Sequence, residues 1–587
     1  MKRTFIILLV LISSLTFQSF AQTDYEPLRA EFREKIDKTM RKNDIVGASV
    51  VLVVDDSIVW HENFGYTHEE QETPVNNQTQ FKLGSVTKIF TGTGSMQMVE
   101  QNRLDLDAPV KNYVPDFSMK TRFEDAPAIT SRMVLTHHAG MPSDIFRGFE
   151  SDKPEPYTKE LDYLNLEYAT FPPNTIHSYS NPGFNFMGIL LSRIYGKSYM
   201  DMMQETIFDP LNMDASGFWG ISNDSNLSPS YNGKGKPVQE KYIREVPAGS
   251  MVSTTKDLAT FIKNMLPENA TNTILQKSTI EQMMETQNDD VALDFDDEYG
   301  IVWMKRNNNK CGVITHHGGA TFYQRAMLAL APETNMGVAI LTNSENGNRM
   351  CYLYDDILNR AAELNERVVE NDQPNTEKPP RKKMKLSDKH LAQFEGYYGH
   401  AAGLTNLKEK RGKLHGKLDK YRMVLIPVDS STFIPRIKLL GPIGFKIRSV
   451  RFHVEKINGM TLLVQEQVKS GSKDVIARKR PRPGFTQAWK ERVGRYEIVN
   501  HKPEDFKLCK NFEIKSVNNS PVFSYQITVQ YAPKIEPALI IENNQRAYIT
   551  GLGRQGGYAL QAKKDENGEE YLYFSGFKLK RIENLSD

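Results

Sequence analysis

Apolar residues fall into distinct periods along this 587-residue chain. In residues 47–60 (GASVVLVVDDSIVW) two apolar runs flank Asp55, Asp56 and Ser57, which predicts a β-hairpin with an acidic turn. In residues 81–99 the positions Val86, Ile89, Phe90, Met96 and Val99 follow helical spacing, so a helix is expected there with Ser85 at its start. Residues 181–195 (NPGFNFMGILLSRIY) and 257–266 (DLATFIKNML) carry the same period, the second behind Ser253 or Thr254 as a cap. Between 299 and 343 the runs YGIVWM, GVITH, AMLALA and GVAILT return to β-forming sequence, separated by turns rich in Asn or containing Pro.

A helical stretch at 351–369 gives way to NDQPNTEKPPRKKMK, the composition of an exposed linker, placed at 370–388. Its basic cluster Arg381, Lys382, Lys383 and Lys385 reads as solvated linker. Strand-like runs dominate beyond it, and Gly396-Tyr397-Tyr398 finds a partner in Gly494-Arg495-Tyr496 at a domain-sized spacing. Two small β-barrel-like units are therefore expected at 389–482 and 483–587, with one larger barrel as the alternative. The whole reads as an α+β domain over 22–369, an antiparallel sheet flanked by helices, followed by all-β domains. Length agrees, because single cores stop growing at roughly 250 to 300 residues.

Composition sharpens the destination. With 39% hydrophobic and 25% charged residues the chain should bury ordinary cores. Met1-Lys2-Arg3, the apolar run 5–15 and Ser19-Phe20-Ala21 predict a signal peptide cleaved after Ala21, hence a periplasmic or secreted protein. No later segment reads as a membrane span. The formal charge of +2 falls to zero once Lys2 and Arg3 are removed, since 1–21 holds no acidic residue, and nothing suggests a nucleic-acid partner. Cys311, Cys351 and Cys509 are too few for a disulfide framework and read as buried free thiols, with a single Cys311–Cys351 bridge as the alternative.

Candidate chemistry starts at Ser85-Val86-Thr87-Lys88. A helical step of three puts hydroxyl and amine on one face, and a helix N-terminus favours a developing oxyanion. The spacing alone is weak, because Ser253/Lys256, Ser470/Lys473 and Ser575/Lys578 repeat it. Ser85 alone comes with companions: Tyr179-Ser180-Asn181 before a helix, and His316-His317-Gly318-Gly319 at the end of a strand-like run. No Gly-x-Ser-x-Gly elbow and no His-Glu-x-x-His are present, so neither an α/β-hydrolase nor a metal or other cofactor is expected.

In this order, FKLGSVTK, YSN and HHGG resemble the Ser-x-x-Lys, Tyr-x-Asn and His-x-Gly segments of the serine β-lactamase and penicillin-binding-protein superfamily. The resemblance is to its class C-like branch, which includes DD-peptidases, D-aminopeptidases and carboxylesterases. It covers about residues 30–365, and ITSRMVLTHHAGMPS, PAGSMVSTTKDLATF and YGIVW strengthen it. It implies that Ser85 attacks a carbonyl while Lys88 and Tyr179 exchange the proton, with the choice of base left open. It further implies that Asn181 orients the substrate or Lys88, that His316 stands where a lysine is usual, with Gly318 beside it, and that the amides of Ser85 and Gly319 form the oxyanion hole. A histidine there weakens the case for a β-lactam substrate. The implied substrate is a small molecule or a peptide containing D-amino acids; a carboxylesterase and a non-catalytic binding protein are the alternatives.

Overall fold

The structure, a computed structural model, describes residues 23–582 except 223–224, 270, 272, 370–383, 402, 419–420, 439–443, 483, 518 and 529–533. The expected signal peptide and most of the linker, with Arg381, Lys382 and Lys383, lie outside the described residues.

The first domain is built on an antiparallel sheet. Strands β1 (Gly47–Val54) and β2 (Ser57–His68) form the predicted hairpin, and β3 (Met304–Asn308), β4 (Gly312–Ala320), β5 (Arg325–Ala331) and β6 (Met336–Thr342) return late in the chain. Their order is β3-β4-β5-β6-β1-β2, with the two residues Thr73–Pro74 at the far edge. Because β1 lies between β2 and β6 and helices cover both faces, every residue of β1 is buried. The alternation survives inside that run. Val50 and Leu52 face helices α1 (Glu26–Asn43) and α5 (Leu353–Leu364), while Val51 and Val53 face α2 (Thr87–Glu100) and α4 (Thr255–Met265). Two covered faces explain why the strands read as continuous apolar runs.

Helix α2 is enclosed on all sides, with Thr87 through Met98 buried. Its Thr93 and Ser95 hydroxyls bond back to the carbonyls of Ile89 and Thr91, so they need no water. Helix α3 (Asn181–Tyr195) begins at Ser180, whose Oγ accepts from the Gly183 amide at 3.0 Å, and α4 is capped by Thr254 rather than Ser253. The YGIVWM run is a strand only from Met304. Ile301 and Trp303 are buried in the helical core, in irregular chain held by Ile301 N to Met283 O and Gly300 N to Trp303 O. A short apolar run does not by itself distinguish a strand from another buried segment.

Two β units follow. The first closes as an antiparallel barrel, Tyr421–Pro427 pairing with both Leu414–Leu418 and Thr432–Lys438. The second is a half-barrel whose ends, among the described residues, meet through Phe523 N to Pro537 O and a bridge between Val522 and Ala538. They repeat one pattern. A helical turn, α6 (Asp388–Ala392) or α7 (Gln487–Glu491), leads into a first strand, β7 (Gly396–His400) or β9 (Gly494–Ile498), which pairs with the last strand of its unit, β8 (Lys473–Arg480) or β10 (Phe577–Arg581). In each, a tyrosine hydroxyl donates to the carbonyl four residues back, Tyr398 to Phe394 at 3.0 Å and Tyr496 to Arg492 at 2.7 Å. The first barrel starts slightly inside the expected linker, since Leu386 already belongs to its core and Ser387 caps α6. All three cysteines are buried and free, and among the described residues no helix is long and apolar enough to cross a membrane.

Candidate active site

A tight fit between two glycines sets the position of Ser85. It lies in the turn Gly84–Val86 that opens α2, and Gly84 has φ +51°, a conformation that suits glycine. A Cβ on Gly84 would stand 2.6 Å from the Ala320 amide nitrogen, and one on Gly319 would collide with the Leu83 carbonyl. Glycine at both positions brings the Ser85 turn against the end of β4.

Lys88 lies one turn further, with no exposed surface, and its Nζ sits 3.3 Å from Ser85 Oγ, 2.7 Å from Asn181 Oδ1 and 2.7 Å from Ala248 O. Burial brings its pKa down to about 7; Glu245 opposes this and Arg554 reinforces it. The two carbonyl-type oxygens accept the two N–H groups of a neutral amine, which leaves its lone pair for the Ser85 hydroxyl. Asn181 is held in turn, its Nδ2 donating to Asp144 Oδ1 at 2.7 Å. The Tyr179 hydroxyl interacts with Ser85, and burial raises its pKa, so it remains a phenol at neutral pH. His137 supports it from behind, with ring centroids 4.2 Å apart and its Nδ1 accepting from the Ser180 amide.

Strand β4 corrects two expectations. Residues of one parity share a face, and Gly319 faces Leu83 and Val86 of the Ser85 turn, so His317 shares that face while His316, though it also lines the cavity, projects from the other. The His317 ring lies 6.2 Å from Tyr179, whereas His316 turns to the opposite side of the sheet, 5.5 Å from Tyr354 of α5 and near Arg306. Gly318 shares the His316 face, toward Met327. The frame of the motif is therefore His317-Gly318-Gly319. Burial takes His317 down to about 3, so it is neutral. The second correction concerns the amide. Thr321 N donates to Gln324 O at 3.1 Å, and amide direction alternates along an antiparallel strand, so the Gly319 amide points into β5. The Ala320 amide points to the edge left open where β3 ends opposite His316, beside Gly84. Parity was the available signal for both.

Several groups were missed by the sequence reading. Glu160 and Glu245 share one buried guanidinium, Arg244, with Nε donating to Glu160 at 2.7 Å and Nη2 lying 3.7 Å from Glu245. Burial and the neighbouring Glu160 carboxylate push Glu245 well up against the pull of Arg244, so it is a neutral acid on the cavity wall. Glu150, also on the wall, is pushed up to about 9 by burial and by Glu240. Arg554 comes from the half-barrel, on the loop Gly551-Leu552-Gly553-Arg554-Gln555-Gly556-Gly557. Its guanidinium lies 5.1 Å from the Tyr179 ring centroid, and Nη2 is 3.5 Å from Asp144 Oδ2. The cavity in front of Ser85 measures about 820 Å³, with Phe146, Phe149, Trp219, Ile243 and Phe322 from the first domain, and Leu508, Ile527, Arg554 and Gln555 from the half-barrel, among its lining residues. No group of three or more His, Cys, Asp or Glu side chains able to hold a metal occurs among the described residues.

A family described as Beta-lactamase matches residues 32–362. Protein flp of Staphylococcus aureus (strain N315) is 24% identical over 334 residues, 54% of this chain, and the match spans 64% of that protein's length. Penicillin-binding protein 4* of Bacillus subtilis (strain 168) is 23% identical over 432 residues, 68% of this chain and 90% of its own. Among solved structures, that of SurE with D-Leu superposes with a TM-score of 0.56 at 20% identity, covering 77% of this chain and 99% of that one, which is a likeness of fold.

Proposed function

Because the chain belongs to the beta-lactamase family, we propose that it is an acyl-transferring serine hydrolase with Ser85 as its nucleophile. The observation that carries this reading is the environment of Lys88, whose near-neutral pKa and two carbonyl acceptors leave its lone pair for the serine proton. Lys88 is then the base. Tyr179, a phenol at working pH, hands a proton toward the leaving group and takes back the one Lys88 collects. The Ser85 and Ala320 amides receive the oxyanion. Asn181, fixed by Asp144, keeps Lys88 aimed at Ser85.

The substrate class we assign is a peptide containing D-amino acids, the class the motif resemblance implies. The apolar wall of Phe146, Phe149, Trp219 and Ile243 favours carboxylester cleavage as the second reading. We further propose export to the periplasm or beyond, which N-terminal sequencing of the mature protein would test by a start at Gln22.

A fluorophosphonate probe should label the wild-type protein and not Ser85→Ala, and turnover of a p-nitrophenyl ester should fall by about 10⁴ or more in that variant. Lys88→Met should lose comparably. Unchanged turnover in both Lys88→Met and Tyr179→Phe would defeat the mechanism.

A further inference from the structure

We infer that Arg554, carried into the cavity by the C-terminal half-barrel, is the specificity residue that receives a free carboxylate of the substrate. The inference rests on the acyl-transfer reading above and names the substrate's charged group.

Arg554 is the one Lys or Arg among the described residues that line the cavity. Lys88 is sealed behind Ser85 and occupied by Asn181 and Ala248, so it offers a ligand nothing. His317, on the strand that faces the site, has its Nδ1 turned to the Gly318 carbonyl and is neutral. Any anion bound in front of Ser85 therefore has Arg554 as its counter-charge. The side chain is 55% exposed, directed into the cavity while its loop is tied down on both sides. Gln555 N donates to Ser143 Oγ at 3.1 Å, and the Tyr558 hydroxyl accepts from Asp144 N at 2.7 Å and donates to Asp144 O at 3.0 Å. Asp144 Oδ2 reaches a single edge of the guanidinium, and the remaining N–H groups match a planar carboxylate, the pairing in which arginine gains geometry as well as charge.

The acidic groups of the cavity do not suit the opposite partner, a substrate ammonium. Asp144 is 8% exposed, with Oδ1 taken by Asn181 and Oδ2 beside Arg554. Glu150 and Glu245 are held neutral by burial. A peptide with a free C-terminus fits this distribution, and one recognised by its free amino terminus does not.

Binding can be read apart from catalysis. Calorimetry with the Ser85→Ala protein would compare N-acetyl-D-alanyl-D-alanine with its C-terminal amide. The carboxylate should bind about 10- to 100-fold more tightly, Arg554→Ala in the same background should erase that ratio, and Arg554→Lys should restore part of it. Arg554→Glu should invert the ratio, which a merely loosened loop would not do. Equal affinity for acid and amide, or a ratio that survives Arg554→Ala, overturns the inference. Because fluorophosphonate labelling of Ser85 is scored separately, labelled protein with no carboxylate preference defeats Arg554 alone. Failure to label defeats the acyl-transfer reading on which it stands.

Discussion

The two C-terminal units are copies of one pattern put to different uses. Each opens with a helical turn, pairs its first strand with its last, and ties a tyrosine hydroxyl to the carbonyl four residues back. The first, closed barrel packs Leu462 and Val464 against Phe171, Ile176 and Leu293 of the first domain, and none of its described residues is among those lining the cavity. The second accepts Phe146 of the first domain into its own core, beside Tyr558 and Phe574, and sends Arg554 back over Tyr179. The closed unit still contributes indirectly: Thr550, at the base of the Arg554 loop, donates to His400 O of the first barrel. One repeat thus buttresses and its copy forms part of the site, because the exchange of Phe146 for Arg554 fixes the second unit on the cavity.

The largest effect should come from breaking that exchange. Phe146 is 3% exposed and its ring sits in the half-barrel core, so Phe146→Ala should cost about 3–5 kcal/mol. Thermal unfolding checks the loss, and kcat/KM should fall with it, because the Arg554 loop and the 143–147 segment share their anchors. The matched change in the other unit, Leu462→Ala, should cost about 2–5 kcal/mol and leave kcat/KM as it was. If Leu462→Ala impaired turnover of folded protein as much as Phe146→Ala does, the division of labour would be wrong.

How much of this was legible follows the same division. Ser85, Lys88, Tyr179 and Asn181 come together as the motifs suggested, since each sits at the start of a helix whose period shows in the sequence. The α+β class and the β-rich tail were legible too, because buried strands and repeated glycine-tyrosine starts leave local signals. His316 was mistaken for His317 because HHGG fits the motif in two frames, and strand parity, not composition, separates them. Arg554 left no such signal. Its glycine-rich loop reads as a turn, and its meeting with Tyr179, 375 positions earlier in the chain, is fixed by how Phe146 and Tyr558 dock. Contacts of that kind depend on tertiary packing that no local pattern records.

A smaller effect joins the half-barrel to the proton chemistry. The Arg554 charge disfavours protonated Lys88, so it helps hold that pKa down. Lys88 must be neutral to act, so kcat/KM for a neutral ester should rise with pH and level off above about 7. Removing the positive charge in Arg554→Ala relieves the repulsion, raises the Lys88 pKa, and should move this acidic limb to higher pH. Arg554→Lys keeps the charge and should leave the limb near its original place. A limb that stayed put in Arg554→Ala would remove the half-barrel from the electrostatics of Ser85.

The smallest expected effect is the one that compares the repeats most directly. Tyr398→Phe and Tyr496→Phe delete equivalent hydroxyls, each donating to a carbonyl four residues back in a buried setting. A single neutral hydrogen bond contributes about 1 kcal/mol net, so the two variants should lower stability by similar, small amounts in denaturant titrations. Both should leave kcat/KM and the preference for acid over amide intact, because neither tyrosine is among the residues lining the cavity. If Tyr496→Phe alone disturbed that preference, the half-barrel frame as a whole, and not only the 551–557 loop it carries, would be tuned to the site. The functional difference between the copies would then lie in how their strands are held rather than in what their loops present.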